Sequence, residues 1–264
     1  MELRICHISD IHNRHKKIIL PKEADVIVCS GDISGKGRQS EVVDFFKWWN
    51  KLPYQYKVLV AGNHDLCFDP MTSGIKEEDW GYPAWLLEEL FRYTEVYGHY
   101  YLENTRVEIE GVNFWGSPVT PTFGHGWAFN KDRGEAIKDV WRNIPFGTDV
   151  VITHGPVKCH VDYVPSNDYY AGCDDLRNRI KAVKPLLHLS GHIHESYGYS
   201  YDQDTHYFNG SICNLHYEAV NAPWVIDADF EEREIKILNH ENEIVEDKKP
   251  ESGELHEHRG EKSI

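Results

Sequence analysis

The sequence predicts an α/β chain with its chemistry gathered at strand ends, and three observations carry that reading. Short apolar runs recur at residues 5–9, 24–30, 56–61, 149–153 and 186–190, the pattern of strands covered on both faces. An amphipathic segment at residues 40–51 separates the second and third runs, giving the strand–helix–strand order of a parallel crossover. Each run gives way at once to Asp, Gly or His, and open α/β sheets hold their ligands at the carboxyl ends of strands.

Ile5-Cys6-His7-Ile8-Ser9 forms the first strand and stops at Asp10-Ile11-His12. A bend there lets Asp10 and His12 reach one point, whereas His7 lies within the strand and reads as structural. The second strand ends at Gly31-Asp32, where the glycine permits a tight turn. Ser40 caps a helix over residues 40–51; Val42, Phe45, Phe46, Trp49 and Leu52 share one face, and Glu41, Asp44, Lys47 and Lys51 the other. The third strand ends at Gly62-Asn63-His64-Asp65. An amide oxygen, an imidazole and a carboxylate in sequence supply a ligand, a proton donor and a group to orient it.

Pro83 opens a helix over residues 83–94, and residues 106–115 alternate around Gly111 as a hairpin. Residues 118–134 form a long aromatic-rich loop with Phe123, His125, Trp127 and Phe129, followed by a helix over 134–143; long loops in compact domains are often functional. The strand at 149–153 ends at His154-Gly155. A second long loop, 158–173, carries Tyr163, Tyr169 and Tyr170. A helix over 174–184 stops before Pro185, and the strand at 186–190 ends at Gly191-His192-Ile193-His194. Segments 196–201, 205–209 and 224–238 are strand-like without long helices between them, so the chain turns antiparallel late. From residue 239 it is polar, with no Phe, Trp or Tyr, and reads as a disordered tail in which His256 and His258 are solvated. The expected division is one catalytic domain, 1–238, and a tail, 239–264.

A 41% hydrophobic fraction over 264 residues supports a sizeable core. No apolar run is long enough to span a membrane, and residues 1–5 enter a strand pattern directly, without the features of a signal peptide. Six scattered cysteines without a C-x-x-C read as reduced thiols, so a cytoplasmic location is expected. A net charge of −15 argues against broad nucleic-acid binding. It leaves room for a small anionic substrate, because bound cations invert the local field.

The strand ends together offer Asp10, His12, Asp32, Asn63, His154, His192 and His194. Carboxylate, imidazole and amide oxygen suit Mn²⁺, iron or Zn²⁺. Seven donors exceed one tetrahedral zinc site, and two ions sharing a bridging carboxylate, Asp32, use them economically.

The ordered set Asp-x-His, Gly-Asp, Gly-Asn-His-Asp, His-Gly and Gly-His-x-His, spanning residues 5–194, resembles the calcineurin-like metallophosphoesterase superfamily. Leu52-Pro53-Tyr54, Trp127-Ala128-Phe129-Asn130, Arg133-Gly134, Gly172-Cys173 and Gly191-His192-Ile193-His194-Glu195 are similar to its metallophosphoesterase-domain-containing subgroup, related to class III cyclic-nucleotide phosphodiesterases. The resemblance implies a four-layer α/β/β/α sandwich with two mixed sheets. It assigns Asp10, His12, Asp32 and His194 to one divalent ion and Asp32, Asn63, His154 and His192 to the other, with Mn²⁺ expected first and iron or Zn²⁺ as alternatives. His64 is then a catalytic residue near the phosphate, not a ligand, and Asp65 orients it. The implied reaction is in-line attack by a metal-bridging hydroxide on a small nucleotide phosphodiester, a cyclic nucleotide foremost. Other phosphoesters (cyclic oligonucleotide signals, nucleic-acid ends, phosphomonoesters) are the alternative substrates. A non-catalytic nucleotide-binding scaffold is the alternative role, which the intact ligand set disfavours.

Overall fold

The computed structural model describes residues 1–69 and 98–238. The helix expected at 83–94 and the tail at 239–264, with His256 and His258, lie outside the described residues. The chain runs β1 (Glu2–Ile8), β2 (Val26–Cys29), α1 (Gln39–Trp49), β3 (Tyr56–Leu59), β4 (His99–Tyr101), β5 (Thr105–Ile109), β6 (Val112–Ser117), β7 (Thr120–Pro121), β8 (Asn130–Lys131), α2 (Glu135–Trp141) and β9 (Val150–Thr153). It continues through β10 (Tyr163–Val164), β11 (Tyr169–Tyr170), α3 (Asp174–Val183), β12 (Leu187–Ser190), β13 (Gly198–Tyr201), β14 (His206–Asn209), β15 (Trp224–Asp229) and β16 (Glu234–Leu238). Among the described residues no helix is long and apolar enough to cross a membrane. All six cysteines are free thiols.

Among the described residues two six-stranded mixed sheets result, ordered β16-β15-β1-β2-β3-β4 and β13-β14-β12-β9-β6-β5. The alternation of side chains along each strand fixes the layers. Ile5, Val26, Val28 and Val58 of the first sheet face Phe114, Val150, Ile152, Leu187, Leu189 and Phe208 of the second, forming the central core. The intervening residues Cys6, Ile8, Ile27, Cys29 and Leu59 point outward to Val42, Phe45, Phe46 and Trp49 of α1. On the opposite outer face, Trp115, Val151 and Tyr207 pack on Ile137 and Trp141 of α2 and Leu176, Ile180 and Val183 of α3. Strands buried on both faces therefore read as unbroken apolar runs, and the four-layer α/β/β/α sandwich follows from packing.

The hairpin β5–β6 turns at Glu110 (φ 48°) and Gly111 (φ 80°), positive φ at both positions as a type I′ turn requires. The long loops at 118–134 and 158–173 hold two short ribbons, β7–β8 and β10–β11. Two-residue strands leave no periodic signal, and these are fixed by tertiary contacts: Arg133 of one loop donates to the Gly172 and Ala171 carbonyls of the other at 2.9 and 2.8 Å. The segment at 224–238 divides into β15 and β16, paired antiparallel.

Topology places the site. β1, β2 and β3 are parallel in one sheet, and β6, β9, β12 and β14 in the other. Their carboxyl ends meet where Ser9 bridges Ser211, with Ile212 N–H donating to the Ser9 carbonyl at 2.8 Å.

Candidate active site

Sharp turns follow the ligand-bearing strands. Asp10, His12, Asp32 and His192 have φ of 49°, 42°, 51° and 69°, a left-handed backbone uncommon outside glycine. Such strain persists where surrounding contacts over-determine it, and it gathers at functional sites. Two glycines have a steric reason to be there: a Cβ on Gly62 would lie 2.2 Å from Asp32 Oδ1, and one on Gly191 would lie 2.1 Å from Asp10 Oδ2.

Three imidazoles are held the same way. Nδ1 of His12, His154 and His194 meets the carbonyls of Ser34, Ser30 and Asn214 at 3.2, 2.9 and 2.9 Å. A carbonyl only accepts, so the proton sits on Nδ1 and the Nε2 lone pair turns inward. Each carboxylate likewise anchors one oxygen and presents the other. Asp10 Oδ2 accepts from His192 N–H and Ser211 O–H, both at 2.8 Å. Asp10 Oδ1 is buried, makes no hydrogen bond among the described residues and faces His194 Nε2 at 3.3 Å. Asp32 Oδ1 accepts from His64 N–H at 2.8 Å, while its Oδ2 lies between His12 Nε2 at 3.7 Å and His154 Nε2 at 3.5 Å.

This donor set fits cations. His12 Nε2 and His194 Nε2 are 3.2 Å apart, and His154 Nε2 is 2.9 Å from Asn63 Oδ1. Atoms facing one another this closely need a proton or a metal ion between them. Separations of 2.9–3.7 Å are also the edges of a coordination polyhedron with bonds of about 2.0–2.2 Å. Among the described residues three groups could hold an ion, with donor atoms within 4.8 Å of one another: Asp10–His12–His194, Asp10–Asp32–His154 and His12–Asp32–His64. The first contains three of the four residues expected at one ion. The second joins Asp32 and His154 with Asp10. Asn63 borders it through His154, and so does His192, whose ring lies 5.0 Å from that of His154.

The electrostatics agree. Burial pushes the Asp10 and Asp32 carboxyls up, but the surrounding imidazoles outweigh it and hold both well below the usual carboxylate range. His194 and His154 are raised to about 9, because Asp10 and Asp32 overcome their burial. Burial instead dominates at His12, lowered to about 4, and at His192, lowered to about 3. Two buried carboxylates thus demand positive charge, which protons or metal cations can supply.

His64 joins the cluster, but not as expected. Its Nδ1 meets the Gly35 carbonyl at 2.8 Å, which turns Nε2 toward the site. Asp65 does not orient this ring. Its carboxylate accepts from the N–H groups of Gly62, Ile33 and Ser34 at 2.9, 3.2 and 3.0 Å and from the Ser34 hydroxyl at 2.7 Å. A buried carboxylate takes the nearest unpaired donors, and here these belong to the two ligand loops that Asp65 locks together.

Phe129 packs against Ala61, Leu66 and Ala128. Trp127 lies 4.5 Å from the His64 ring, and Phe123 is half exposed, 5.0 Å from that of His192. The Tyr163 ribbon adjoins the site through a Ser196 hydroxyl donating to the Tyr163 carbonyl at 2.6 Å. His7 is a core residue, its Nε2 2.9 Å from Ser30 Oγ. Sequence reasoning missed Ser34, Gly35, Ser211, Asn214 and Tyr217. Of these, Ser211 had a signal, since Asn209-Gly210-Ser211 repeats the strand-end pattern of a glycine beside a polar residue.

A family model described as calcineurin-like phosphoesterase matches residues 3–196. Human metallophosphoesterase domain-containing protein 1 is 40% identical over 231 residues, covering 85% of this chain and 70% of the human one. The Caenorhabditis elegans UPF0046 protein T07D4.2 is 33% identical over 238 residues, covering 85% and 60% respectively. The solved structure of TT1561 from Thermus thermophilus superimposes with a TM-score of 0.57 at 13% identity, over 91% of this chain and all of that one, and shows the same fold. The family match runs from β1 past His194 and so takes in every donor gathered at the strand ends, which makes this chain a member of the calcineurin-like phosphoesterase family, metal-dependent hydrolases of phosphoesters.

Proposed function

We propose that the protein is a phosphodiesterase that uses two divalent ions, Mn²⁺ foremost, to hydrolyse a small nucleotide diester such as a cyclic nucleotide. The observation that carries this is the approach of two imidazole nitrogens to one carboxylate oxygen, His12 Nε2 at 3.7 Å and His154 Nε2 at 3.5 Å from Asp32 Oδ2. In this reading Asp10, His12, Asp32 and His194 hold one ion, and Asp32, Asn63, His154 and His192 the other. Bound there, the ions supply Lewis acidity and lower the pKa of water. The chain's own groups do the rest. His64, steadied by Gly35, stabilises charge on a phosphoryl oxygen and gives a proton to the leaving alkoxide. Trp127 and Phe123 offer faces on which a base can stack. The six free cysteines support a cytoplasmic setting, and residues 1–238 are read as one catalytic domain.

The test is a metal-supplemented screen over a cyclic mononucleotide, a cyclic dinucleotide, single-stranded DNA and a phosphomonoester. A small cyclic diester should rank first by kcat/KM. A monoester or a long strand winning by a wide margin overturns the substrate class. At most one tightly bound ion, with no activation by added Mn²⁺, overturns the dinuclear reading.

A further inference from the structure

We propose that Tyr217 is a specificity-determining residue whose ring forms the wall on which the base of a nucleoside diester stacks, an assignment that rests on the phosphodiesterase reading above. Tyr217 has φ 57°, an outlying conformation for a bulky side chain, and the turn that imposes it is heavily built. Asn214 Oδ1 accepts from His216 N–H at 2.9 Å and Glu218 N–H at 3.1 Å, and Tyr217 N–H returns to the Asn214 carbonyl at 2.9 Å. Arg14 Nε fixes the Tyr217 carbonyl at 3.1 Å. The same Asn214 carbonyl takes the Nδ1 proton of His194, so one turn both aims a candidate metal ligand and sets the position of Tyr217.

The ring stands nearly perpendicular to His12 and His194, at 4.7 and 5.6 Å between centroids, and lies 6.1 Å from His64. A tyrosine placed there for packing would be covered. Tyr217 is instead 43% exposed. Trp127 approaches the same His64 ring from a different loop. A diester whose phosphate reaches the cluster therefore brings its base beside an aromatic ring whose backbone is tied down by the turn and whose surface is still partly open.

The experiment compares adenosine 3′,5′-cyclic phosphate with the same cyclic ribose phosphate lacking the base, using Mn²⁺-supplemented full-length protein. Tyr217→Asn removes the ring and keeps a residue at ease with positive φ; Tyr217→Phe keeps the ring. Tyr217→Asn should lower kcat/KM, and weaken calorimetric binding, for the nucleotide by roughly 5- to 150-fold, the range one base–aromatic stack supplies. It should leave the base-free ester and the metal content unchanged, and Tyr217→Phe should behave like wild type. Equal losses on both esters, no loss on either, or loss of bound metal overturns the assignment alone. A wild-type protein that neither hydrolyses nor binds either ester overturns the phosphodiesterase reading, and this assignment with it.

Discussion

An Asp65→Asn substitution should weaken the fold far more than it slows catalysis. Asp65 is fully buried and accepts four hydrogen bonds, two on each oxygen: Gly62 and Ile33 N–H on Oδ2, and Ser34 N–H and O–H on Oδ1. An amide has one oxygen. Either orientation keeps two of these bonds and turns an NH₂ toward the other two donors. Each buried donor left unpaired costs about 1–3 kcal/mol, so the loss is about 2–6 kcal/mol. Burial, and then the neighbouring Asp32 charge, push the Asp65 carboxyl up, so a neutral amide relieves part of this and the net cost is about 1–4 kcal/mol. Urea denaturation reads that number. For catalysis, the Gly35 carbonyl, not Asp65, fixes the His64 tautomer, so kcat with saturating Mn²⁺ well below the melting point should stay within about tenfold of wild type. A direct orienting bond would instead make the substitution about as costly as losing the acid itself, roughly 10²–10⁴-fold. The reasoning fails if Asp65→Asn melts like wild type, keeps its metal and still loses a hundredfold or more in kcat. A double variant with His64→Ala sharpens the test: independent roles make the effects on kcat multiply, whereas an orienting role leaves Asp65→Asn with no further effect once His64 is gone.

Other predictions concern separate parts of the molecule. His64→Ala should retain most of the metal and lose roughly 10²–10⁴-fold in turnover; normal turnover at saturating substrate would exclude its role. Asp32→Asn should lower metal content and activity together, read by elemental analysis beside the rate, and full retention of both ions would remove Asp32 as the bridge. His188 is buried and lowered by that burial to about 3, so it stays neutral in the fold while the unfolded chain takes up a proton below pH 6.5. Its contribution is whole above pH 6.5 and is lost as pH falls toward 3, about 2 kcal/mol of it by pH 5. Its Nε2 lies 2.8 Å from Thr153 Oγ1, which donates to the Gly155 carbonyl; His188→Gln can keep a donor there and should flatten the acid side of the stability curve by that amount, an unchanged curve being the contrary result. A chain ending at Leu238, the last residue of β16, should melt and react like the full one; a large fall in melting temperature would show that residues 239–264 dock.

The parts of the fold legible in the sequence were those that a burial pattern repeats. Val26-Ile27-Val28-Cys29 is buried at every position because alternate residues serve the central core and the α1 layer, so the strand appears as an unbroken apolar run. The apolar stripe of α1 is legible for the same reason. Four layers are harder to see, since which face of Ile27 meets a helix and which face of Val28 meets another sheet depends on partners distant in the chain. Ribbons of two residues, such as Tyr163–Val164 against Tyr169–Tyr170, leave nothing to detect, because their pairing depends on contacts like that of Arg133 to Gly172 and Ala171.

The site divides along a chemical line. Donor atoms that only certain side chains possess were visible: a carboxylate needs Asp or Glu, an imidazole needs His, and their recurrence at strand ends marked them out. The groups that aim them were not. His12, His64, His154 and His194 are all oriented by main-chain carbonyls, those of Ser34, Gly35, Ser30 and Asn214, and any residue carries a carbonyl. What selects those positions is backbone direction, set by turns such as the one at Asn214–Glu218, in which main-chain pairing and the Asn214 amide oxygen both take part. Asp65 shows the converse. Its place after Asn63 and His64 suggested a partner for the imidazole, yet the unpaired N–H groups of two tight turns lay closer and took both its oxygens. Adjacency in sequence fixes which groups can meet, while the unmet hydrogen-bonding demand of the backbone decides which of them do.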